Sequence, residues 1–145
     1  MTVSATTGDA ITIPRLLEKH AVERGNRPAI PERDLGIWQT YTWSQVREEV
    51  EALAGGMAAL EFQRGDNLAV IGGNRNRLYW AMAAAQCLGD VPAPLYQDAV
   101  AQEMYVLQDA AIKFAIVENQ EQADKFCAAS AGWADGAPAT PARRA

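Results

Sequence analysis

The run Gly72-Gly73-Asn74-Arg75-Asn76-Arg77 is the part of this 145-residue chain that comes nearest to phosphate chemistry. Glycines at a strand-to-helix turn let backbone N–H groups approach an anion, and the helix start adds partial positive charge. A dinucleotide fingerprint needs glycine at its first, third and sixth positions. Asn74 and Arg77 occupy the third and sixth here. The spacing therefore predicts a tight turn, with Asn74 or Asn76 capping the next helix and with Arg75 and Arg77 solvated. Glu48, Glu49 and Glu51 are close enough in sequence to suggest paired carboxylates for acid–base work. They fall off the apolar stripe of their helix, so a wet face is the expectation. His20 is the one histidine. It lies one turn after Leu16, beside a buried face, and no second ligand or base accompanies it in sequence. Cys87 and Cys127 have neither zinc nor redox spacing, and two buried reduced thiols are expected. No residue is assigned a catalytic, cofactor-binding or metal-ligating role.

The elements that must position these residues follow from periodicity. Pro14 to Arg24 reads as a helix with proline in its first turn, ended by Gly25. Ala29-Ile30 and Ile37 to Tyr41 read as short strands, with Asp34-Leu35-Gly36 as the turn between them. Thr42 and Gln45 form a capping-box pair. Behind them Val46, Val50, Leu53, Met57 and Leu60 recur at steps of four and three. Gly55-Gly56 costs this helix about 1 kcal/mol per glycine relative to alanine, which suggests close backbone packing there. Trp38, Trp43, Tyr79 and Trp80 read as core and hairpin anchors.

From Gly65 onward strands and helices alternate. Leu68 to Ile71 is a strand and is followed by a helix to Leu88, stopped by Gly89. Val91 to Tyr96 is extended, and Pro92 and Pro94 mark it as an edge or a strand entry. Asp98 is placed to cap a helix through Val100, Met104, Leu107 and Ala111. Phe114 to Val117 is the next strand, and a last helix runs from Gln120 to about Ala128. That alternation predicts an α/β fold: a three-layer-like parallel sheet unit with flanking helices, preceded by a helix and a β-hairpin.

Hydrophobic content is 49% and charged content 21%, ordinary for a soluble protein. The net charge of -5 argues against nucleic acid as a partner. Met1 to Ala10 carries no basic and apolar leader pattern, and no apolar run is long enough to span a bilayer. A cytoplasmic protein is the expectation. Residues 1–12 read as a disordered N-terminus and 13–127 as the folded part. Residues 128–145 read as a disordered tail, holding eight alanines and no larger aliphatic residue. Two accounts of that tail stay open: a shifted reading frame near residue 127 of a GC-rich gene, or a natural low-complexity terminus.

The ordered series from Ile13 to Lys125 resembles the opening of the AMP-forming acyl-CoA synthetases, and the long-chain branch most closely. Tyr41-Thr42-Trp43-Ser44 opens a helix with small residues at Ala54-Gly55-Gly56. Arg64-Gly65-Asp66 follows, then Leu68-Ala69-Val70-Ile71-Gly72-Gly73-Asn74, Leu88-Gly89, and Pro92-Ala93-Pro94-Leu95-Tyr96. Gly36-Ile37-Trp38 is similar to the long-chain branch. Glu61 stands where that family usually has glycine, and Gly73 where an acidic residue is common. Asn76 and Leu78 replace frequent proline and tryptophan.

The resemblance implies a ligase of fatty acid metabolism that uses ATP, Mg²⁺ and CoA: the carboxylate becomes an acyl-adenylate and then a thioester. It also implies that the chemistry lies beyond this segment. The phosphate-cradling Ser/Thr/Gly loop, its lysine and the acidic ribose ligand are missing from these residues. The expectation is an N-terminal, truncated and inactive portion of such an enzyme, whose partner is the missing remainder of the synthetase or another copy of itself. Two rival readings accompany it. One is a free-standing α/β binding or interaction module. The other is a small nucleotide-binding protein, against which the glycine spacing counts.

Overall fold

A computed structural model describes residues 11–98 and 106–130. Helix α1 (Ile13–Arg24) starts at Thr12, whose hydroxyl accepts the Arg15 N–H at 3.4 Å. Gly25 ends it without turning left-handed, at φ -35°. Glycine is needed there for space, because a β-carbon would sit 2.6 Å from Ser44 Oγ and 2.8 Å from the Ala21 carbonyl.

Strands β1 (Pro28–Asp34) and β2 (Ile37–Thr42) form an antiparallel hairpin, longer on the first strand than the expected Ala29-Ile30. Asp34 pairs with Ile37 across a two-residue loop, Leu35 at φ 46° and Gly36 at φ 84°. Two successive positive φ values give the turn whose twist matches that of the strands. The hairpin is mostly exposed. Leu35, Ile37 and Trp38 face solvent, so Trp38 is not the core anchor expected of it. The hairpin's anchoring aromatic is Tyr41, set edge-on to Trp80 at 4.9 Å.

The capping box forms as the sequence predicts. Gln45 N–H donates to Thr42 Oγ1 at 3.3 Å, and Thr42 N–H donates to Gln45 Oε1 at 2.9 Å. Helix α2 (Trp43–Ala59) then buries Val50, Ala54 and Met57. Gly55 and Gly56 are exposed, and a β-carbon on either would meet nothing within 4 Å. The close packing expected of this pair is absent among the described residues. The helix closes instead through Glu61, at φ 66°. Glu61 N–H donates to the Ala58 carbonyl at 3.0 Å and Phe62 N–H to the Met57 carbonyl at 3.1 Å, a Schellman closure with a non-glycine residue at its left-handed position.

The second half is the parallel unit. Strand β3 (Asn67–Ile71) lies between β4 (Val91–Leu95) and β5 (Ile112–Val117), and both pairings are parallel. Helix α3 (Asn76–Leu88) links β3 to β4. It ends in Gly89 at φ 88°, with Asp90 N–H on the Ala85 carbonyl at 3.1 Å. Neither Asn74 nor Asn76 caps it: the N-cap position falls on Arg75, which makes no side-chain cap bond. Asn76 is the buried first residue of the helix, and Asn74 accepts from the Tyr79 hydroxyl.

Helix α4 (Val106–Asp109) precedes β5, and α5 (Gln120–Ser130) follows it. Helix α5 thus continues through the first three residues of the expected tail. Asp98 is exposed and is the last described residue before residue 106; most of the helix it is expected to cap, including Val100 and Met104, lies outside the described residues, as do residues 131–145.

Burial follows the pleat. Leu68, Ala69, Val70 and Ile71 are each at most 1% exposed, so β3 is covered on both faces. Leu68, Val70 and Phe114 pack with α2 and α3 residues such as Met57, Trp80 and Ala84. Ala69, Ile71 and Ala115 pack on the other side with Leu107 and Phe126. Each fully buried Leu or Phe contributes roughly 1.5–3 kcal/mol over exposure. Pro92 and Pro94 stand in β4, which pairs with β3 alone among the described strands. They fit an edge because alternate residues of a parallel strand donate to opposite sides. Val91, Ala93 and Leu95 supply β3, and the prolines take the outward positions.

Candidate functional site

Strands β3, β4 and β5 are parallel and end together, so the residues just past them converge. These are Gly72-Gly73, Gln97 and Glu118. In open parallel sheets, ligands bind at the carboxyl ends of the strands, where chain connections diverge to opposite sides. That point here lies between β3 and β5, because β4 and β5 flank β3 on opposite edges. Glu118 fills it. Its own N–H donates to the Ile71 carbonyl at 3.0 Å, and its carboxylate accepts the Gly73 N–H. A β-carbon on Gly72 would approach Glu118 Cβ to 2.8 Å, and one on Gly73 would approach Glu118 Oε2 to 3.1 Å. Gln97 borders the crevice and is held by Gln122 Nε2 and Lys125 Nζ, which donate to its carbonyl at 3.0 and 3.1 Å.

Arg75 is exposed, as expected, and it also has acidic neighbours. Its guanidinium lies 3.5 Å from Glu118, 3.8 Å from Glu32 and 3.9 Å from Asp34. It joins the hairpin to the sheet end. At this turn the Gly73 N–H is already taken by Glu118, and carboxylates of Glu118, Glu32 and Asp34 lie within 4 Å of the neighbouring guanidinium. Arg77 is exposed on the first turn of α3 and takes part in interactions of its own.

The other sequence candidates are scattered. Glu48, Glu49 and Glu51 are exposed on α2, and Glu51 lies 3.6 Å from Arg47. They form the wet face expected of them. His20 borders a groove of about 450 Å³ between α1, the hairpin, α2 and α3, lined by Leu17, Trp43, Val46, Tyr79 and Trp80 among others. Its ring sits 4.7 Å from that of Trp43, and its Nδ1 is buried with no hydrogen-bond partner. The groove suits an apolar group and offers little to orient one. Among the described residues no cluster of three His, Cys, Asp or Glu side chains could hold a metal ion. No described helix is long and apolar enough to cross a membrane.

Cys87 and Cys127 form no disulfide among the described residues, and both are exposed, not buried as expected. Partial desolvation, then the negative charge of Glu51, pushes the Cys87 thiol above its ordinary pKa. This is the reverse of what an activated nucleophile needs. Asp66 is shifted the other way. Burial pulls its pKa up, but the Gln63 N–H and the Lys113 ammonium together outweigh burial and hold it below the usual carboxylate value.

The family model described as "AMP-binding enzyme" matches residues 17–140. The chain belongs to the AMP-binding enzyme family. It is 32% identical over 93 residues to protein Rv1549 of Mycobacterium tuberculosis (strain ATCC 25618 / H37Rv), covering 63% of this chain and 53% of that one. It is 28% identical over 119 residues to the rat (Rattus norvegicus) long-chain-fatty-acid–CoA ligase ACSBG2, covering 80% of this chain and 18% of the ligase. Among solved structures, VinN in complex with L-aspartate superposes with a TM-score of 0.76 at 20% identity, over 88% of this chain and 34% of VinN. The chain thus spans about half the length of the mycobacterial relative and under a fifth of the rat ligase.

Proposed function

We propose that this chain supplies the N-terminal α/β unit of an ATP-dependent ligase that activates a long-chain fatty acid, and that the unit does not adenylate by itself. The carrying observation is the family match across residues 17–140. The likeness to the rat long-chain ligase over 119 residues supports the choice of substrate class. In such an enzyme ATP supplies the adenylyl group, Mg²⁺ offsets phosphate charge and CoA accepts the acyl group.

The unit's own residues fit a supporting role. No Ser/Thr/Gly run followed by Pro-Lys-Gly occurs in the 145 residues. Each of the three lysines lies near a carboxylate of this chain: Lys19 is 4.0 Å from Glu23, Lys113 is 3.0 Å from Asp66 and Lys125 is 2.9 Å from Glu121. The partner on this reading is the remainder of a synthetase, or a second copy of the chain, in the cytoplasm.

The test is ATP–pyrophosphate exchange with palmitate. The purified chain should stay at the blank. Added to a long-chain ligase from which the matching N-terminal segment has been removed, it should restore fatty-acid-dependent exchange. Exchange by the chain alone overturns the claim of inactivity. Failure to complement, in a chain that melts as a sharp monomer, overturns the claim of a supporting unit.

A further inference from the structure

The crevice between the ends of β3 and β5 already holds an anion, supplied by the chain itself. Glu118 is the first residue after β5, pinned beside β3 by its N–H bond to the Ile71 carbonyl. From there one carboxylate oxygen accepts the Gly73 N–H, and the other lies 3.5 Å from Arg75 Nε. A backbone amide and a guanidinium converging on two oxygens of one carboxyl group form a donor set for an oxyanion. The walls are closely fitted, because a β-carbon on Gly72 or Gly73 would stand 2.8 or 3.1 Å from Glu118 atoms.

We propose that this crevice is a carboxylate-binding site whose resident ligand is Glu118, so that a foreign carboxylate enters only when that side chain is removed or displaced. Charge selects the class. Glu32 and Asp34 lie 3.8 and 3.9 Å from the same guanidinium. They repel a phosphate dianion more than a planar monoanion, since Coulomb repulsion scales with the charge. The inference does not depend on the ligase reading. It concerns donors present in this chain whatever the chain belongs to.

The test uses the full chain with Glu118→Ala. Thermal melts are recorded at pH 7 in sodium formate, sodium phosphate and sodium chloride at equal ionic strength. The wild type should melt alike in formate and chloride. The variant should melt lower in chloride and regain at least half of that loss in formate, saturably, with less regain in phosphate. Adding Arg75→Ala should abolish the regain. Formate no better than chloride overturns the site, and regain that survives loss of Arg75 overturns its donor set. Phosphate matching formate overturns the ligand class. If Glu118→Ala does not fold, the amide proton of Gly73 decides. It should resonate well downfield in the wild type and move upfield in Glu118→Gln, whereas an ordinary amide shift in the wild type overturns the proposal.

Discussion

Lys113, near the start of β5, places its ammonium 3.0 Å from Asp66 Oδ2, just ahead of β3. The same carboxylate oxygen accepts the Gln63 N–H at 2.7 Å. One side chain therefore ties a turn to two neighbouring strands at the end of the sheet opposite Glu118.

This pair sets an acid limit. The Asp66 pKa is lowered in the folded chain, while an unfolded aspartate titrates near about 3.9. A lowered folded value means that the contribution is present above about pH 4 and lost as pH falls through the folded value. Asp66→Asn should lower stability at pH 7 by about 1 kcal/mol or less, since the pair is partly exposed. It should also flatten the loss of stability between pH 4 and the acid end. Urea melts of both proteins at pH 7 and below pH 3 check this. Curves that stay parallel at every pH would remove Asp66 as the sensor.

Glu61 holds the left-handed position at which α2 closes, at φ 66°. A residue with a β-carbon is strained there by about 1–2 kcal/mol, and glycine relieves that strain. Glu61→Gly should raise the melting temperature by several degrees. Calorimetry would show a fall instead if the Glu61 side chain supplied more than the backbone loses.

Gly55 and Gly56 call for the opposite substitution. Both sit inside α2 with open space around them. Alanine at either should stabilise by about 0.5–1 kcal/mol, read as a higher urea midpoint with an unchanged slope. A lower midpoint would mean that something outside the described residues lies against this face.

The hairpin tip exposes Leu35, Ile37 and Trp38, at 95%, 67% and 67%. Apolar groups gathered on a two-stranded ribbon promote association. The chain at micromolar concentration should scatter light and bind a hydrophobic dye. Ile37→Thr with Trp38→Thr should reduce both signals without lowering the melting temperature. A monodisperse wild-type monomer with no dye binding would contradict this.

Local features were legible in the sequence because both partners lie within a few residues. The Thr42–Gln45 box is three residues apart, the Val50–Met57 stripe repeats at helical steps, and Leu35-Gly36 marks its own turn. The β-α alternation likewise revealed a parallel sheet. The crevice was not legible, because Gly73 and Glu118 lie 45 residues apart and no spacing rule links them. The ion pairs of exposed Arg75 were not legible for the same reason, Glu32 and Asp34 being on a distant hairpin. Gly55-Gly56 misled differently. A propensity cost reveals that glycine is disfavoured, not which neighbour compensates for it, and here none is present within 4 Å.

Pro92 and Pro94 give the sheet a direction of growth. With no N–H at either outward position, the β4 margin can accept hydrogen bonds but not return them, so a strand laid against it finds half a ladder. The β5 margin, Ile112–Val117, has no proline along its length. Among the described strands of this three-stranded sheet, a gene fusion, a swapped neighbour or an aggregating copy would therefore find the β5 margin the better seed for an added strand. A lysine substitution intended to keep the molecule single would matter on β5 and be wasted on β4.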